Sequence, residues 1–210
     1  MTSGLRKLTA CFVTVVALLL LYEGAYLPIT KSHLYIAAYS NLRNVKSIDE
    51  FNCIFNPVLD YSSPVGQEEL VSAYLGIVLD ALNQNPPPPK EVAAALITQA
   101  EKRADPIIHH APSFSYSQTI LKLAVINKLA AGKQCENTKY YERARELFRL
   151  GLTYSPNRQA FLYNLLDLYL CGNDTQGTKE IVTIILKYWP GDQNAQRIWN
   201  YLENPTGAKK

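Results

Sequence analysis

Apolar residues occupy the first part of the chain almost without interruption. Residues 8–22 read LTACFVTVVALLLLY and contain no charged side chain, and Arg6 and Lys7 precede them. Basic residues beside an apolar segment mark the cytoplasmic end of a membrane helix. Fifteen residues rise only about 22 Å, so a helix that crosses about 30 Å of hydrocarbon has to continue to Leu27. We therefore predict a transmembrane anchor over about residues 8–27, within an N-terminal segment 1–28.

A cleaved signal peptide would have the same basic start and apolar middle. Signal cleavage favours small residues one and three positions before the cut, and Glu23-Gly24-Ala25 places a carboxylate at the outer of these positions. The uncleaved anchor is therefore favoured over a secreted protein and over a buried helix of a soluble protein. With either an anchor or a signal peptide, the residues after 28 lie outside the cytoplasm.

Beyond Pro28, apolar residues recur every three or four positions, which is the spacing of helices with one buried face. Within residues 140–152, for example, Ala144, Leu147, Phe148 and Gly151 share one face, and charged residues fill the other. No segment alternates between apolar and polar residues as a half-buried strand does. The pattern predicts nine helices, near residues 31–43, 47–59, 67–83, 90–104, 115–132, 139–153, 158–171, 175–187 and 192–203.

Local signals mark several helix ends. Ser47 and Glu50 have the spacing of a capping box, which satisfies free amides at a helix start. Gly132 and Gly172 follow apolar helical segments and are expected in the left-handed conformation that ends a helix. The tract 83–89, NQNPPPP, cannot lie inside a helix, so we expect an extended surface connector there.

Composition narrows the classes of function. The 210 residues include 21 Lys and Arg against 18 Asp and Glu, and the net charge of +3 is too small and too evenly spread for a nucleic-acid groove. The four cysteines have no C-x-x-C spacing, which argues against zinc and thioredoxin-like sites. We expect free and mostly buried thiols.

The sequence has no motif of a known catalytic centre, such as a nucleophile elbow, a zinc-protease helix or a phosphate-binding loop. His109 and His110 are adjacent but have no third ligand at metal-binding spacing. Glu68 and Glu69 diverge by about 100° if they lie on a helix, so they do not form an acid–base pair. We therefore predict no catalytic residue, no metal site and no cofactor.

Two segments near the C-terminus repeat each other. Aligning Leu152-Thr-Tyr-Ser-Pro156 with Leu186-Lys-Tyr-Trp-Pro190 places Tyr154 on Tyr188 and Pro156 on Pro190, an offset of 190 − 156 = 34 residues. Thirty-four residues is the period of a helix–turn–helix repeat in which each unit covers the apolar face of its neighbour.

The residues that carry this period resemble the tetratricopeptide repeat (TPR), a family of all-α helical-repeat (α-solenoid) domains. Its pattern positions are occupied by Ala144, Phe148, Gly151, Pro156, Leu162, Leu165, Tyr169 and Pro190. Leu166, in place of the usual glycine, and Thr178, in place of alanine, depart from the pattern. The resemblance implies TPR-like repeats with a terminal capping helix over residues 133–205 and divergent helical hairpins over 29–132. We expect a disordered tail at 206–210.

In this family, the first helix of each repeat lines a concave groove that binds ligands. The resemblance implies that four side chains face this groove: Tyr163, Asp167, Arg197 and Tyr201. Tyrosine rings supply contact area and arginine supplies a directional donor, so the groove suits a protein or peptide ligand, or a polar envelope glycan.

The order of parts is similar to the C-terminal tail of bacterial O-antigen ligase and polymerase family proteins. The likeness comprises an apolar helix, a segment that begins with Ala37-Ala-Tyr-Ser-Asn-Leu, and the repeat-like helices. Members of that family are multi-pass enzymes that handle lipid-linked glycans on the outer face of the membrane, and their catalytic arginine and histidine precede this tail.

From both resemblances we expect a non-catalytic, membrane-anchored TPR-like interaction module on the outer face of a bacterial membrane. Two alternatives remain open at this point. The first alternative is a fragment or subunit of a glycan-transferring enzyme of the O-antigen ligase type. The second alternative is a secreted soluble repeat protein.

Overall fold

The computed structural model describes residues 3–109 and 114–204, and the regular structure within these ranges is helical. The helices are α1 (Ser3–Leu21), α2 (Leu27–Asn41), α3 (Ile48–Asp60), α4 (Gln67–Leu82), α5 (Lys90–Ile108), α6 (Phe114–Ala131), α7 (Thr138–Tyr154), α8 (Gln159–Cys171), α9 (Thr175–Tyr188) and α10 (Gln193–Glu203). The predicted all-helical class is confirmed. The tail expected at 206–210 lies outside the described residues.

The N-terminal helix is long and apolar enough to cross a membrane. Its most apolar window of 18 residues has a mean hydropathy of 2.0, and no part of that window is buried. A π-helical turn over Tyr22–Tyr26 joins α1 directly to α2. The predicted start at residue 31 is therefore wrong, because the helix continues through Pro28. Proline has no amide hydrogen for the preceding turn, and the wider π turn accommodates it.

Residues 1–71 form the first of two compact units. Within it, α2 packs against α3. Phe51 and Phe55 of α3 are buried, and their ring centroids lie 4.8 Å apart. The amine of the buried residue Lys31 donates a hydrogen bond to the Gln67 side-chain oxygen, which ties α2 to the start of α4.

Residues 72–210 form the second unit. From α5 to α10, each helix packs against the next helix along the chain, and α6 also contacts α8. The core is formed by apolar side chains that recur at helical spacing, including Leu147, Phe148, Phe161, Leu165 and Val182, all without exposed surface. The sequence of the second unit therefore produces a serial arrangement of helices.

The helix of the predicted anchor begins at Ser3 and not at residue 8. Among the nine helices predicted beyond Pro28, apart from the start of α2, one helix end is displaced by more than two residues. We expected α5 to end at residue 104, before Pro106, but it continues to Ile108. A proline in the last turn removes one backbone hydrogen bond. Ile107 and Ile108 are buried, and their burial compensates for the lost hydrogen bond.

Two of the predicted helix-end signals hold, and one is displaced. The Ser47 hydroxyl accepts a hydrogen bond from the Glu50 amide at 3.1 Å, and Gly132 has a φ of +89°. Gly172 is not left-handed. Asn173 takes that conformation with a φ of +55°, because a short polar side chain also tolerates it. A Cβ on Gly172 would lie 2.6 Å from the Tyr141 ring, so Gly172 permits a close approach instead.

A disulfide bond joins Cys135, in the loop before α7, to Cys171 at the end of α8, with Cα atoms 5.7 Å apart. The expectation of four free and mostly buried thiols is therefore wrong. Cys11 and Cys53 are free, but both are exposed. The two cysteines are 36 positions apart and gave no local signal of pairing, because the fold of α7 and α8 brings them together.

The positions assigned by the repeat resemblance fall into two groups. Six are buried in the second unit: Ala144, Phe148, Gly151, Leu162, Leu165 and Tyr169. Pro156 and Pro190 are exposed, each two residues beyond the end of a helix. Gly151 lies so close to α8 that a Cβ on it would overlap the Phe161 ring.

We predict that Gly151→Ala lowers the free energy of unfolding by about 1–3 kcal/mol, because the added methyl group displaces the Phe161 ring from a packed core. Gly191→Ala is the matched control, since no atom lies within 4 Å of its added Cβ. Its free energy of unfolding should change by less than about 0.5 kcal/mol. Urea unfolding of the full chain in detergent, followed by circular dichroism, measures both. Equal stabilities of the two variants would contradict the close approach of α7 and α8.

Candidate functional site

A cavity of about 400 Å³ opens between the end of α8, the start of α9 and α10. It is lined by Tyr169, Leu170, Asn173, Thr175, Thr178, Asn194, Arg197, Ile198, Tyr201 and Leu202. Its volume lies within the range of small-ligand pockets. Two of the four residues predicted to face a groove, Arg197 and Tyr201, therefore line the same cavity.

The polar groups of this cavity, which we call the α8–α10 cavity, are positive or neutral. None of its lining residues carries a carboxylate. The Arg197 guanidinium donates a long hydrogen bond of 3.4 Å to the Asn194 side-chain oxygen. Tyr201 is 59% exposed. A guanidinium beside an aromatic ring and aliphatic side chains suits a ligand that combines hydrogen-bond acceptors with apolar groups.

Tyr163 is placed elsewhere and has a structural contact. Its hydroxyl donates a hydrogen bond to the Asp192 carboxylate, whose other oxygen accepts one from the Ala195 amide at 2.8 Å. Asp192 is thereby the N-cap of α10. Burial and the hydrogen bond to Asp192 raise the pKa of Tyr163 to about 12. Tyr163 thus fixes the start of the helix that carries Arg197 and Tyr201.

Asp167 also lies outside the α8–α10 cavity. Its carboxylate forms an ion pair with the Lys128 amine at 3.1 Å, and the same amine donates to the Asn164 side-chain oxygen at 3.1 Å. The Lys128 side chain is mostly buried, whereas Asp167 is largely exposed. These contacts join α6 to α8. The structure therefore separates the four predicted groove residues into two that share a cavity and two that connect helices.

Sequence reasoning missed a second and larger cleft. It measures about 740 Å³ and lies along α5, α6 and α7, with Glu101, Asn127, Arg143 and Arg149 among its lining residues. We expected the charged residues of α7 to face open solvent. This cleft was missed because the spacing of charged residues in a sequence does not distinguish a solvent-exposed helix face from the wall of a cleft between helices. The dense mixture of acidic and basic residues in ERARE, residues 142–146, was the available signal.

Most charged groups of this larger cleft are paired with each other, and Arg149 pairs with Glu180 of α9. The Arg143 guanidinium donates to Glu101 at 2.9 and 3.2 Å and to Glu146 at 2.9 Å, and the Asn127 amide donates to Glu101 at 2.6 Å. Burial lowers the pKa of Arg143, but its hydrogen bonds to the two carboxylates outweigh that effect and raise it. The network ties α5 to α7 and is better suited to packing than to binding a charged ligand.

The acid and histidine side chains do not form a metal centre in the described part of the chain. Among residues 3–109 and 114–204, no group of three or more His, Cys, Asp or Glu side chains is placed to hold a metal ion. His109 lies 3.3 Å from the Asp105 carboxylate, one turn earlier on α5, and both side chains are mostly exposed. His110 lies outside the described residues.

We predict that Tyr163→Phe lowers the free energy of unfolding by about 0.5–1 kcal/mol at neutral pH, since one hydrogen bond to the partly exposed Asp192 carboxylate is lost. The Ala195 amide and the Tyr163 hydroxyl lower the pKa of Asp192 below its ordinary value of 3.8. The stabilisation from this carboxylate is therefore complete above pH 3.8 and is lost as the pH falls through the lowered pKa.

Urea unfolding of the full chain at neutral pH and at a series of pH values below 3.8 tests this prediction, because protonation of Asp192 should make the difference between wild type and Tyr163→Phe smaller as the pH falls. Tyr201→Phe is the control, since its ring is exposed. The two variants should differ at neutral pH. A Tyr163→Phe loss that persists undiminished in acid would show that Asp192 is not the partner that matters.

Comparison of this chain with protein-family models, with curated proteins and with solved structures found no match. The likeness to tetratricopeptide repeats and to the tail of O-antigen ligases therefore rests on the residues of this sequence alone, and both remain predictions. The function has to be inferred from the α8–α10 cavity, the helix packing and the apolar N-terminal helix.

Proposed function

We propose that this chain is a non-catalytic, membrane-anchored interaction module with TPR-like repeats, and that its α8–α10 cavity binds a peptide segment of a partner protein. One observation carries the proposal. Arg197 and Tyr201, which the repeat resemblance assigns to a ligand groove, line a single cavity that contains no acidic side chain. An envelope glycan is the other ligand that such a cavity could accept.

The contacts of the second unit support a stack of helical hairpins. Helices α5 to α10 pack in chain order, and α6 contacts α8, the next but one. Ion pairs link other alternate helices: Arg143 of α7 to Glu101 of α5, and Arg149 of α7 to Glu180 of α9 at 2.8 Å. In helical repeats each unit contacts its neighbours in this serial way.

Two further observations support an anchor with the folded units outside the cytoplasm. The basic residues Arg6 and Lys7 precede the apolar stretch of α1, and such residues remain on the cytoplasmic side. The disulfide bond between Cys135 and Cys171 belongs to an oxidising compartment, since cytosolic thiols are kept reduced.

The chemistry of the cavity supports a peptide ligand. The exposed guanidinium of Arg197 has no acidic neighbour in the cavity and suits a backbone carbonyl or a carboxylate. Leu170, Ile198 and Leu202 add an apolar wall against which a side chain would pack. An extended peptide supplies both kinds of group at close spacing.

We predict that a photo-reactive benzoylphenylalanine placed at Tyr201 in the full chain crosslinks to a partner polypeptide in intact cells. The same residue placed at Tyr188 is the control, because Tyr188 is also an exposed tyrosine but lies outside the α8–α10 cavity. Immunoblotting shows the adduct, and mass spectrometry identifies it. Adding Arg197→Ala should decrease the adduct at position 201, because the ligand then loses its charged donor.

The composition of the adduct separates the ligand classes. A tryptic peptide attached at position 201 and missing at 188 supports peptide binding. A carbohydrate mass at position 201 would replace the peptide with a glycan. The absence of any adduct at 201, or identical adducts at both positions, would contradict a ligand site in the cavity.

A further inference from the structure

The N-terminal helix is much longer than a membrane span. The continuous helical segment runs over Gly4–Asn44, which is 41 residues and about 60 Å of rise, whereas the hydrocarbon core of a bilayer is about 30 Å thick. If the span ends near Leu27, residues 28–41 project about 20 Å beyond it. We call residues 26–41 the stalk, which comprises this projecting part of α2 and the last two residues of the span.

The stalk has one covered face and one uncovered apolar face. Lys31 and Ala38 are buried, on the side where α2 packs against α3. Ile29 and Ile36 are 55% and 61% exposed, and each precedes a buried residue by two positions. Two residues correspond to about 200° around a helix, so both isoleucines face away from α3.

The uncovered face has the spacing of a coiled-coil seam. Its residues follow each other at intervals of three, four, three and four: Tyr26, Ile29, His33, Ile36 and Ser40. All five are exposed, and none is an Asp, Glu, Lys or Arg. This alternation of three and four keeps one stripe of a helix facing a parallel partner. We call these five residues the stalk stripe.

We infer that the stalk stripe pairs with the stalk stripe of a second copy of this chain, in parallel and in register. This inference rests on the proposed membrane anchor. Anchors inserted in one orientation hold the stalks of two copies parallel and place equal residues at equal heights above the membrane. Ile29 then meets Ile29 and Ile36 meets Ile36, which is the self-complementary contact of a twofold dimer.

The size of the stripe explains why the pairing depends on the membrane. Tyr26, Ile29 and Ile36 are 59%, 55% and 61% exposed, and three partly exposed side chains per copy fall well short of the about 800 Å² per partner in a standard freestanding interface. Confinement to one membrane plane raises the effective concentration of the second copy, so a small interface suffices. The absence of charged residues from the stripe removes like-charge repulsion between copies.

Cysteine crosslinking of the full chain in isolated membranes tests this inference. The free thiols are first removed with Cys11→Ser and Cys53→Ser. Ser40→Cys then places a thiol on the stripe, and Asn41→Cys is the control, because Asn41 lies next to Ser40, is also exposed and points about 100° away. A short bismaleimide should crosslink Ser40→Cys to a dimer and give several-fold less dimer with Asn41→Cys.

A second variant tests the apolar contact itself. Ile36→Ser, in the Ser40→Cys background, should lower the crosslinked fraction about tenfold, because one isoleucine of each copy is lost from a small interface. Val65→Ser is its matched control, since Val65 is a similarly exposed apolar residue outside the stalk, and it should leave the fraction unchanged.

The outcomes distinguish this inference from the anchor on which it rests. A chain that is found in the soluble fraction overturns both. A chain that remains in the membrane but crosslinks equally at positions 40 and 41, or at neither, overturns the dimer and leaves the anchor intact. A crosslinked product whose mass is not twice that of the chain also overturns pairing between copies.

Discussion

The apolar surface of α1 is the constraint on which the rest of the account depends. In its most apolar window no side chain is buried, so the described residues do not cover this helix. Such a surface is unfavourable in water, whereas a helix in hydrocarbon satisfies its backbone internally and exposes only apolar side chains. The proposed location and the height of the stalk above the membrane follow from that requirement, and Arg6 and Lys7 set the proposed direction of the chain.

Close contacts between glycines and aromatic rings determine how tightly α7 and α8 pack in the second unit. Gly151 lies against the Phe161 ring, and Gly172 lies against the Tyr141 ring, so α7 and α8 approach more closely than bulkier residues would permit. The disulfide bond between Cys135 and Cys171 adds a covalent link between the loop before α7 and the end of α8. A chain-entropy estimate for a loop of this length gives about 4 kcal/mol of stabilisation. The α8–α10 cavity is therefore attached to a firmly held pair of helices.

Local patterns in the sequence were sufficient for most of the fold. Helical periodicity located the nine helices predicted beyond Pro28, and among these only the start of α2 and the end of α5 were misplaced by more than two residues. Both errors involve a proline. The π turn accommodates Pro28, and tertiary packing accommodates Pro106. The disulfide bond was missed because its cysteines are distant in sequence. At the end of α8, the left-handed conformation was predicted for Gly172, but Asn173 adopts it.

The sequence predicted less of the candidate site than of the fold. Repeat spacing placed Arg197 and Tyr201 on α10, where they share a cavity. The same spacing gave no sign that the Tyr163 hydroxyl would bind Asp192 or that Asp167 would pair with Lys128. These partners come from other helices, so helical periodicity alone could not identify them.

Labelling of Cys53 tests the proposed topology most directly. Cys53 is free and exposed in α3, beyond the anchor, whereas Cys135 and Cys171 are joined in a disulfide bond. The account predicts that a membrane-impermeant maleimide labels the full chain in intact spheroplasts, and that Cys53→Ser abolishes this labelling. Labelling that requires lysis of the spheroplasts would contradict it, because the folded units would then lie on the cytoplasmic side.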